Sequence, residues 1–588
     1  DAGGRDRIPP VVGSGLGRGV PSYTSMTSSI APLQHARFRL LWMASVVSNV
    51  GSFLQAVAGG WLMLELTGSA LWVGLMAASS TLPLLFLALP AGALADMFDR
   101  RRILVISQGL MGSAAMGMAV LAYFDLITPG LLLTLGLVLG TGLALNIPAW
   151  QAMVPDLVPR GLVASAVALN SVSFNVARAV GPALGGLIVA AAGPDLAFFL
   201  NGVSFVGVIA VVLSWRGSSR SADAPDPMRN AIALGLRFAR FTPPFRRLLA
   251  VAAGFALTSA VVQSLLPNVT EEALGGGATM YGFLLGMMGL GALMAAFTRQ
   301  MIQQRIGRGM VPSAIVGFGL AGLAVGMSRQ PMITGLGMFV AGIFWVWTLA
   351  TLNATVQLLA PAWIRGRAMS LYTLSFVGLL PIGSIAGGAL GDLIGSAEAV
   401  AVLSGGAILF GLGVMRLGVP GLGEVVATDP PPEWNLEPHD FDMSGGPVLV
   451  ITTWVIRHAQ LEDFLKVMDR LRLVRLRTGA YRWHLYRNAD DPHRMTEVMV
   501  LNSWQDHIRQ HQRIDAEAVE AIRTAAAFDR DGGPISRHLV AVEVADPESR
   551  PHWEELLAVH RNMHDRDGSL PLGDVTVEPS GPVLGRPG

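Results

Sequence analysis

The stretch Gly92-Ala93-Leu94-Ala95-Asp96-Met97-Phe98-Asp99-Arg100-Arg101-Arg102 (GALADMFDRRR) places five ionisable side chains between two long apolar runs. Ionisable side chains are costly inside the hydrocarbon core of a membrane. On both sides of this cluster the apolar runs reach the length of roughly 20 residues that a helix needs to cross that core. The cluster therefore predicts a polar turn between two membrane-spanning helices.

The composition of the whole chain fits a protein that is dissolved largely in lipid. Of its 588 residues, 52% are hydrophobic and only 14% are charged, whereas soluble domains carry roughly 25% charged residues. The absence of cysteine excludes disulfides, thiol catalysis and cysteine-ligated zinc. A net charge of +1 gives no argument for a nucleic-acid partner.

Twelve apolar runs follow one another along the chain, and several contain Gly, Pro, Asn or Gln, as helix bundles in membranes allow. They predict an all-α polytopic membrane protein with twelve transmembrane helices in two six-helix halves. The runs, called spans one to twelve below, cover residues 39–64, 70–95, 102–124, 129–152, 163–192, 196–215, 247–268, 279–300, 309–328, 331–359, 368–394 and 397–417.

Basic residues are sorted between alternate loops. The loops on one side carry sixteen arginines, whereas the loops on the other side carry only Arg329. Because Lys and Arg concentrate in cytoplasmic loops, both termini of this multi-pass protein are predicted to be cytoplasmic. A soluble all-helical protein would not sort its arginines in this way. The sixteen are Arg100, Arg101, Arg102, Arg160, Arg216, Arg220, Arg229, Arg237, Arg240, Arg246, Arg247, Arg299, Arg305, Arg308, Arg365 and Arg367.

Two pairs of segments repeat at a separation of about 200 residues, which indicates an internal duplication. Residues 154–161 precede span five as residues 360–367 precede span eleven, and the glycine-rich run 181–186 has a counterpart at 383–388. Small residues of this kind permit close contact between helices. Pro182 and Pro381, within these regions, are candidate bending points.

Composition divides the chain into seven segments. They are a disordered or misassigned extension at 1–32, an N-terminal half at 33–216, a cytoplasmic linker at 217–246, a C-terminal half at 247–420, a Pro-rich linker at 421–445, a soluble domain at 446–545 and a largely disordered tail at 546–588.

The opening stretch resembles the signature that the major facilitator superfamily carries between spans two and three. Gly92, Leu94, Asp96, Arg100 and Arg101 match it, whereas Met97 and Asp99 replace a basic residue and a glycine of the pattern. Arg-Gly-Arg before span eleven, and Asn170, Asn175 and Arg178 before Gly181-Pro182, are similar to the bacterial exporter branch of transmembrane secretion effectors and enterobactin-exporter-like proteins. The resemblance covers residues 33–420.

The resemblance implies a conformational latch made by Gly92, Asp96, Arg100, Arg101 and Arg367. Asp96 would lie at the start of span eleven near Arg367 and pair with Arg101, since a carboxylate is favoured at a helix N-terminus and beside arginine. Such a latch would hold the two halves together in the outward-open state. The alternative is a cluster that only fixes topology.

Several polar residues inside the spans are candidates for binding the substrate or coupling its transport. Arg178 either faces a central cavity and binds an anion, or snorkels to the cytoplasmic interface. Glu65 is either a gate or proton site, or an ordinary interfacial charge. The uncharged candidates either line a cavity or bond between helices; they are Asn49, Gln55, Asn146, Gln151, Asn175, Gln263, Asn353 and Gln357.

The sequence excludes ATP as the energy source, because no phosphate-binding loop of the form GxxxxGK[ST] is present. The resemblance implies a secondary antiporter that exports a small organic molecule by alternating access, coupled to protons, without cofactor, metal or catalytic residue. An importer of the same fold is an alternative. The chain shows no acid plainly at mid-membrane that would identify the proton carrier.

Residues 446–545 predict a ferredoxin-like α+β domain. Strands are expected at Val448–Ile456, Ala480–Arg487, Thr496–Asn502 and Arg537–Val544, and helices at Gln460–Arg477 and Trp504–Ala527. The segment resembles the dimeric α/β-barrel group that includes antibiotic-biosynthesis-type monooxygenases, which implies self-association. An alternative function is therefore a bifunctional transporter whose tail has monooxygenase-like or sensing activity. His507 and His511 have a spacing that would suit a metal, but a solvated or packing role is favoured.

Overall fold

A computed structural model of the chain describes residues 30–214, 228–418 and 446–541, except 362, 515, 532 and 533. The expectations for the N-terminal extension up to residue 29, for the Pro-rich linker and for the tail from 546 lie outside these described residues. Two compact units are present, a membrane unit and a C-terminal unit, and each is described by itself.

The membrane unit is built from helices that follow the apolar runs. Their bounds are α1 Ala36–Thr67, α2 Ala70–Ser79, α3 Leu82–Met97, α4 Arg100–Tyr123, α5 Pro129–Met153, α6 Val163–Ala192, α7 Pro194–Leu213, α8 Met228–Phe241, α9 Pro243–Ser264, α10 Leu266–Asn268, α11 Ala278–Ile306, α12 Met310–Met327, α13 Pro331–Leu359, α14 Arg365–Phe376, α15 Leu380–Ile394 and α16 Ser396–Leu417.

Eleven helical segments of the described chain are long and apolar enough to cross a membrane, and the longest, Ala278–Met327, contains both α11 and α12. The described helices thus provide the twelve predicted spans. Span two is α2 and α3, span seven is α9 and α10 with the π-helical turn Val269–Ala273, and span eleven is α14 and α15. The remaining spans are single helices. The predicted fold class of the membrane unit is confirmed.

Short polar side chains set where several spans begin. Ser69 accepts a hydrogen bond from the backbone N–H of Trp72 at the start of α2, and Thr128 does the same for Leu131 at the start of α5. Asp99, at a position where the superfamily pattern has glycine, caps α4 by accepting from the N–H of Arg101 at 2.9 Å. Each cap satisfies an amide that a helix N-terminus otherwise leaves without a partner.

The two halves meet along two pairs of spans, two with eleven and five with eight. At the five–eight contact, a Cβ on Gly282 would lie 2.7 Å from the Cα of Gly186. At the two–eleven contact, a Cβ on Gly388 would lie 2.6 Å from the carbonyl oxygen of Ala70. Only glycine permits such close backbones, so the prediction that the glycine-rich runs bring helices together is confirmed.

Helix α8 is a feature that the sequence analysis missed, because residues 217–246 were interpreted only as a linker. Leu234 and Phe238 are buried, and the ring of Phe238 lies 6.2 Å from that of Trp363 in an edge-on contact. The helix thereby packs beside the start of span eleven. The helix has one apolar face, but it is only 14 residues long and its other face is polar, so it is not a membrane span.

The C-terminal unit has a four-stranded antiparallel sheet in the order β2-β3-β1-β4, as predicted for a ferredoxin-like domain. Buried Trp454 and Phe464 lie in its core, with ring centroids 5.7 Å apart. The second predicted helix is divided into two. The elements are β1 Val448–Val455, α17 Leu461–Thr478, β2 Arg482–Arg487, β3 Arg494–Leu501, α18 Trp504–Gln512, α19 Ala516–Ala526 and β4 Ile535–Val540.

Candidate transport site

A cavity of about 330 Å³ lies where the two halves of the membrane unit meet. The N-terminal half contributes Gln55 and Arg178 to its lining, and the C-terminal half contributes Gln263, Tyr281 and Trp345. Cavities that bind small molecules have volumes of roughly 300–1,000 Å³ and occur between helices of bundles. Both the size and the position therefore suit a substrate site.

Arg178 is placed at the middle of span five, as residue 16 of the 30-residue helix α6, and lines the cavity. This position favours the cavity-facing interpretation over snorkelling to an interface. Its guanidinium lies 5.6 Å from the ring centroid of Phe174, one turn earlier. Among the described residues that line the cavity, Arg178 alone carries a charge.

Gln55 reaches the cavity as part of a buried polar pair that the sequence did not reveal. Asn201 of span six donates to the side-chain oxygen of Gln55, and the Gln55 amide lies 3.3 Å from the sulfur of Met118. Both amides are buried. An Asn in the middle of the otherwise apolar run 196–215 was the available signal for Asn201.

Aromatic side chains form much of the wall that the C-terminal half supplies. Tyr281 stacks on Trp61, with ring centroids 6.2 Å apart. Trp345 is 3% exposed, packs against Phe255 at 5.5 Å, and its indole Nε1 makes no hydrogen bond to the described residues. Because a buried indole N–H usually has a hydrogen-bond partner, this donor is unusual among the residues of the lining.

Two of the predicted candidates bond between helices rather than line the cavity. Asn49 of α1 donates to the hydroxyl of Ser173 in α6 at 3.3 Å. Asn146 of α5 accepts from Gln108 at 3.1 Å and from Ser107 at 3.3 Å, both in α4. These contacts match the helix-bonding alternative that the sequence left open.

Four further candidates, Asn175, Asn353, Gln357 and Glu65, bond within their own helices. Asn175 donates to a backbone carbonyl one turn earlier at 2.8 Å, and Asn353 accepts from Gln357 at 2.6 Å. Glu65 accepts from the indole of Trp61 at 2.5 Å near the end of α1. None of the four belongs to the described lining of the cavity.

Asp392, which the sequence analysis did not single out, links the two halves. The end of the bundle that carries Glu65, Asp195, Glu271, Glu272 and Glu398 is called the acidic end. There, near the close of span eleven, Asp392 accepts from Ser69 Oγ at 2.8 Å and from the N–H groups of Ala70 at 2.6 Å and Leu71 at 3.3 Å. It therefore caps the N-terminus of span two across the interface between the halves.

At the opposite, arginine-rich end, Gly92 and Asp96 both belong to α3, but the surroundings of Gly92 and the side chain of Asp96 lie outside the described part of the structure. Arg100 forms an ion pair with Asp156 at 3.0 Å. The described bonds of Arg101 run to the carbonyl oxygens of Val212 and Leu213, at the end of span six. Arg367 lies in the first turn of span eleven, where the resemblance places the target of Asp96.

The C-terminal unit contains a buried cluster of aromatic rings. His507 is completely buried, and its ring centroid lies 4.8 Å from that of His511 and 4.7 Å from that of His538. Trp504 completes the cluster at 5.3 Å. This environment matches the packing role expected for His507.

Burial, together with the neighbouring positive charges, lowers the pKa of His507 to about 3 and that of His511 to about 4. Both rings are therefore neutral near neutral pH.

Comparison with known proteins agrees with this fold. The multidrug efflux pump Tap of Mycobacterium tuberculosis (strain ATCC 25618 / H37Rv) is 26% identical over 66% of this chain and 94% of its own. The enterobactin exporter EntS of Citrobacter koseri is 26% identical over 68% and 94%. A crystal structure of the nucleoside transporter NupG superposes with a TM-score of 0.55 at 12% identity, over 65% of this chain and 99% of that one, which shows the fold alone.

The family described as transmembrane secretion effector matches residues 27–546, which is most of the chain. The protein has the features of the major facilitator fold: twelve spans, a cavity between two halves and the signature between spans two and three. The protein is therefore a member of the transmembrane secretion effector family of major facilitator transporters.

Proposed function

We propose that the protein exports a small organic molecule across the bacterial inner membrane by alternating access, driven by the proton gradient. The observation that carries the proposal is a drug-sized cavity at the junction of two helical halves whose interface is held at one end. Transporters of this architecture bind substrate at such a junction and expose it to either side as the halves rock.

The contacts at the acidic end indicate which state the structure represents. Asp392 and the glycine contacts of spans two, five, eight and eleven hold the halves together there. The sequence assigns sixteen arginines to the loops on the other side, which supports a cytoplasmic position for that side and for both termini. With this orientation the acidic end faces outward and is closed, so the cavity would load from the cytoplasm, as an exporter requires.

Export can be tested without knowing the substrate. Inside-out membrane vesicles containing the protein are incubated with a small-molecule extract of the producing cells, energised with NADH, and their contents are compared by untargeted mass spectrometry. We expect specific compounds to accumulate, because the arginine-rich face is then outside and the cycle runs inward. A protonophore should abolish the accumulation, and vesicles without the protein are the control. Accumulation only in right-side-out vesicles would indicate an importer, and accumulation that survives the protonophore would exclude proton coupling.

The C-terminal unit is proposed to associate with a second copy of itself through its sheet. Helices pack on one face, where Val450 and Met499 are buried. The other face carries an aliphatic row in the central strands, with Ile451 opposite Val498. An apolar sheet face needs a cover in water, and the face of a second copy would provide it.

Self-association is tested on residues 446–545 by analytical ultracentrifugation. The segment is expected to sediment as a dimer, and the double variant Ile451→Glu/Val498→Glu as a monomer with an unchanged circular dichroism spectrum. A matched control is Thr496→Glu, at the edge of the aliphatic row, which should weaken the dimer less. A wild-type segment that is folded and monomeric would contradict the proposal.

A further inference from the structure

We infer that the transported molecule is an organic anion, with a carboxylate-like group that pairs with Arg178 and an apolar body held by the rest of the cavity. The inference rests on the proposed function and specifies the class of its substrate. It is carried by two observations, the charge of the cavity and a buried donor without a partner.

The charge of the cavity is uncompensated in the described structure. Arg178 is the single charged residue of the described lining, and the guanidinium stays protonated at any physiological pH. Its one described contact, the ring of Phe174, supplies neither a full negative charge nor an acceptor for its N–H groups. Charges inside membrane proteins are normally paired. A ligand anion would provide the missing partner.

One donor of the lining also lacks a hydrogen bond to the described residues. Trp345 presents an indole N–H that is buried and makes no hydrogen bond to the described residues. By contrast, the side-chain oxygen of Gln55 is already occupied by Asn201. A carboxylate would provide the anion that Arg178 lacks, whereas a cationic ligand would meet a like charge.

The remaining lining indicates an apolar body. Phe53, Met76, Leu285 and Met288 contribute apolar surface, and flexible methionines adapt to ligands of different outline. The volume of about 330 Å³ is near the lower limit for drug-sized ligands. A compact amphiphilic anion fits these properties better than a fully hydrated, highly polar one.

The test uses two probes of nearly equal shape, 2-naphthoate and the neutral 2-naphthamide, with the full-length protein in nanodiscs of zwitterionic phosphatidylcholine. Equilibrium dialysis without any ion gradient gives the two dissociation constants. The wild type is expected to bind naphthoate about ten to a hundred times more tightly, as is typical of hydrogen bonds to a charged group. Arg178→Gln should remove this preference while leaving naphthamide binding within about threefold, and Arg178→Lys should keep part of it.

The matched control is Arg329→Gln, which removes an arginine that is exposed and paired with Glu398 at 3.3 Å, away from the cavity. It should leave both dissociation constants within about twofold. Equal binding of the two probes by the wild type, no measurable naphthoate binding at millimolar concentration, or a preference that persists in Arg178→Gln would each overturn the inference. The wild-type comparison decides the question even if Arg178→Gln fails to fold. Because no gradient is used, these outcomes are independent of the vesicle experiment that tests export.

Discussion

Replacing Asp392 with Asn is expected to shift the conformational equilibrium away from the described state by roughly tenfold to thirtyfold. The carboxylate accepts bonds from Ser69 Oγ and from the N–H groups of Ala70 and Leu71, and these bonds join the two halves. A partly buried carboxylate at a helix N-terminus contributes up to about 2 kcal/mol, and about 1.4 kcal/mol corresponds to tenfold. Asn keeps the shape and one acceptor oxygen but loses the charge and the second acceptor.

The shift is measured by pulsed EPR between spin labels on two cysteines, one in each half. The chain lacks cysteine, and Leu66 and Leu393, both exposed near the acidic end, are suitable positions. A larger population of long distances in Asp392→Asn is the expected result. Glu398→Gln, at the same end but paired with Arg329 of its own half, is the matched control. An unchanged distance distribution would show that Asp392 does not hold the halves together.

Asp96→Asn provides the counterpart at the arginine-rich end. If Asp96 caps span eleven near Arg367 in the outward-open state, this substitution should shift the conformational equilibrium toward the described state by roughly one or two decades. The same spin-label distances would report this shift. Transport should fall while insertion and abundance remain near normal. Asp99→Asn should be much milder, because Asp99 caps α4 and Asn is an equally good cap. If Asp96→Asn shows the same distances and the same transport as the wild type, the charged cluster around Asp96 only fixes topology.

Acidification is expected to destabilise the C-terminal unit. Burial and the neighbouring positive charges hold the pKa of His507 at about 3 and that of His511 at about 4, against roughly 6.5 in an unfolded chain. Between these values the unfolded state binds more protons than the folded state, so the free energy of unfolding falls as the pH falls below about 6.5. By pH 4, the protonation of each histidine in the unfolded state lowers the free energy of unfolding by about 3 kcal/mol, as an order of magnitude.

Urea unfolding of residues 446–545, followed by tryptophan fluorescence from pH 7.5 to pH 4, measures this dependence. His507→Phe should flatten the curve, because it removes one of the two titrating rings. His484→Phe is the matched control, since His484 is exposed on β2, and its curve should keep the wild-type slope. A free energy of unfolding that is independent of pH in the wild type would contradict the prediction.

The sequence predicted the membrane fold well because the bilayer imposes a simple rule of length and hydrophobicity on every span. It also predicted the succession of strands and helices in the C-terminal unit, since alternating apolar residues and turn residues are local signals. Helix α8 was missed because Leu234 and Phe238 form too short an apolar face to satisfy that rule. The break between α18 and α19 falls within a segment that is continuously favourable for a helix, so local pattern gave no warning of it.

The candidate site was predictable only in part, because polar residues within spans have two roles that composition does not separate. Arg178 and Gln55 line the cavity, whereas Asn49 and Asn146 bond to neighbouring helices. Which role applies depends on the rotation of each helix, a property of tertiary packing. Asp392 escaped notice for the same reason, since its partners are the amides of a helix in the other half.

The sequence around Asp392 reads Gly388-Ala389-Leu390-Gly391-Asp392, nearly the same five letters as Gly92-Ala93-Leu94-Ala95-Asp96. Each aspartate is near the C-terminal end of its span, Asp96 on span two and Asp392 on span eleven. If both act as proposed, each caps the beginning of the other's helix, at opposite faces of the membrane. Engaging one cap then requires releasing the other, so two bonds of similar chemistry exchange during the cycle. The inward-facing and outward-facing states would then have nearly equal free energies. The free energy of the proton gradient would drive the substrate rather than the change between these states.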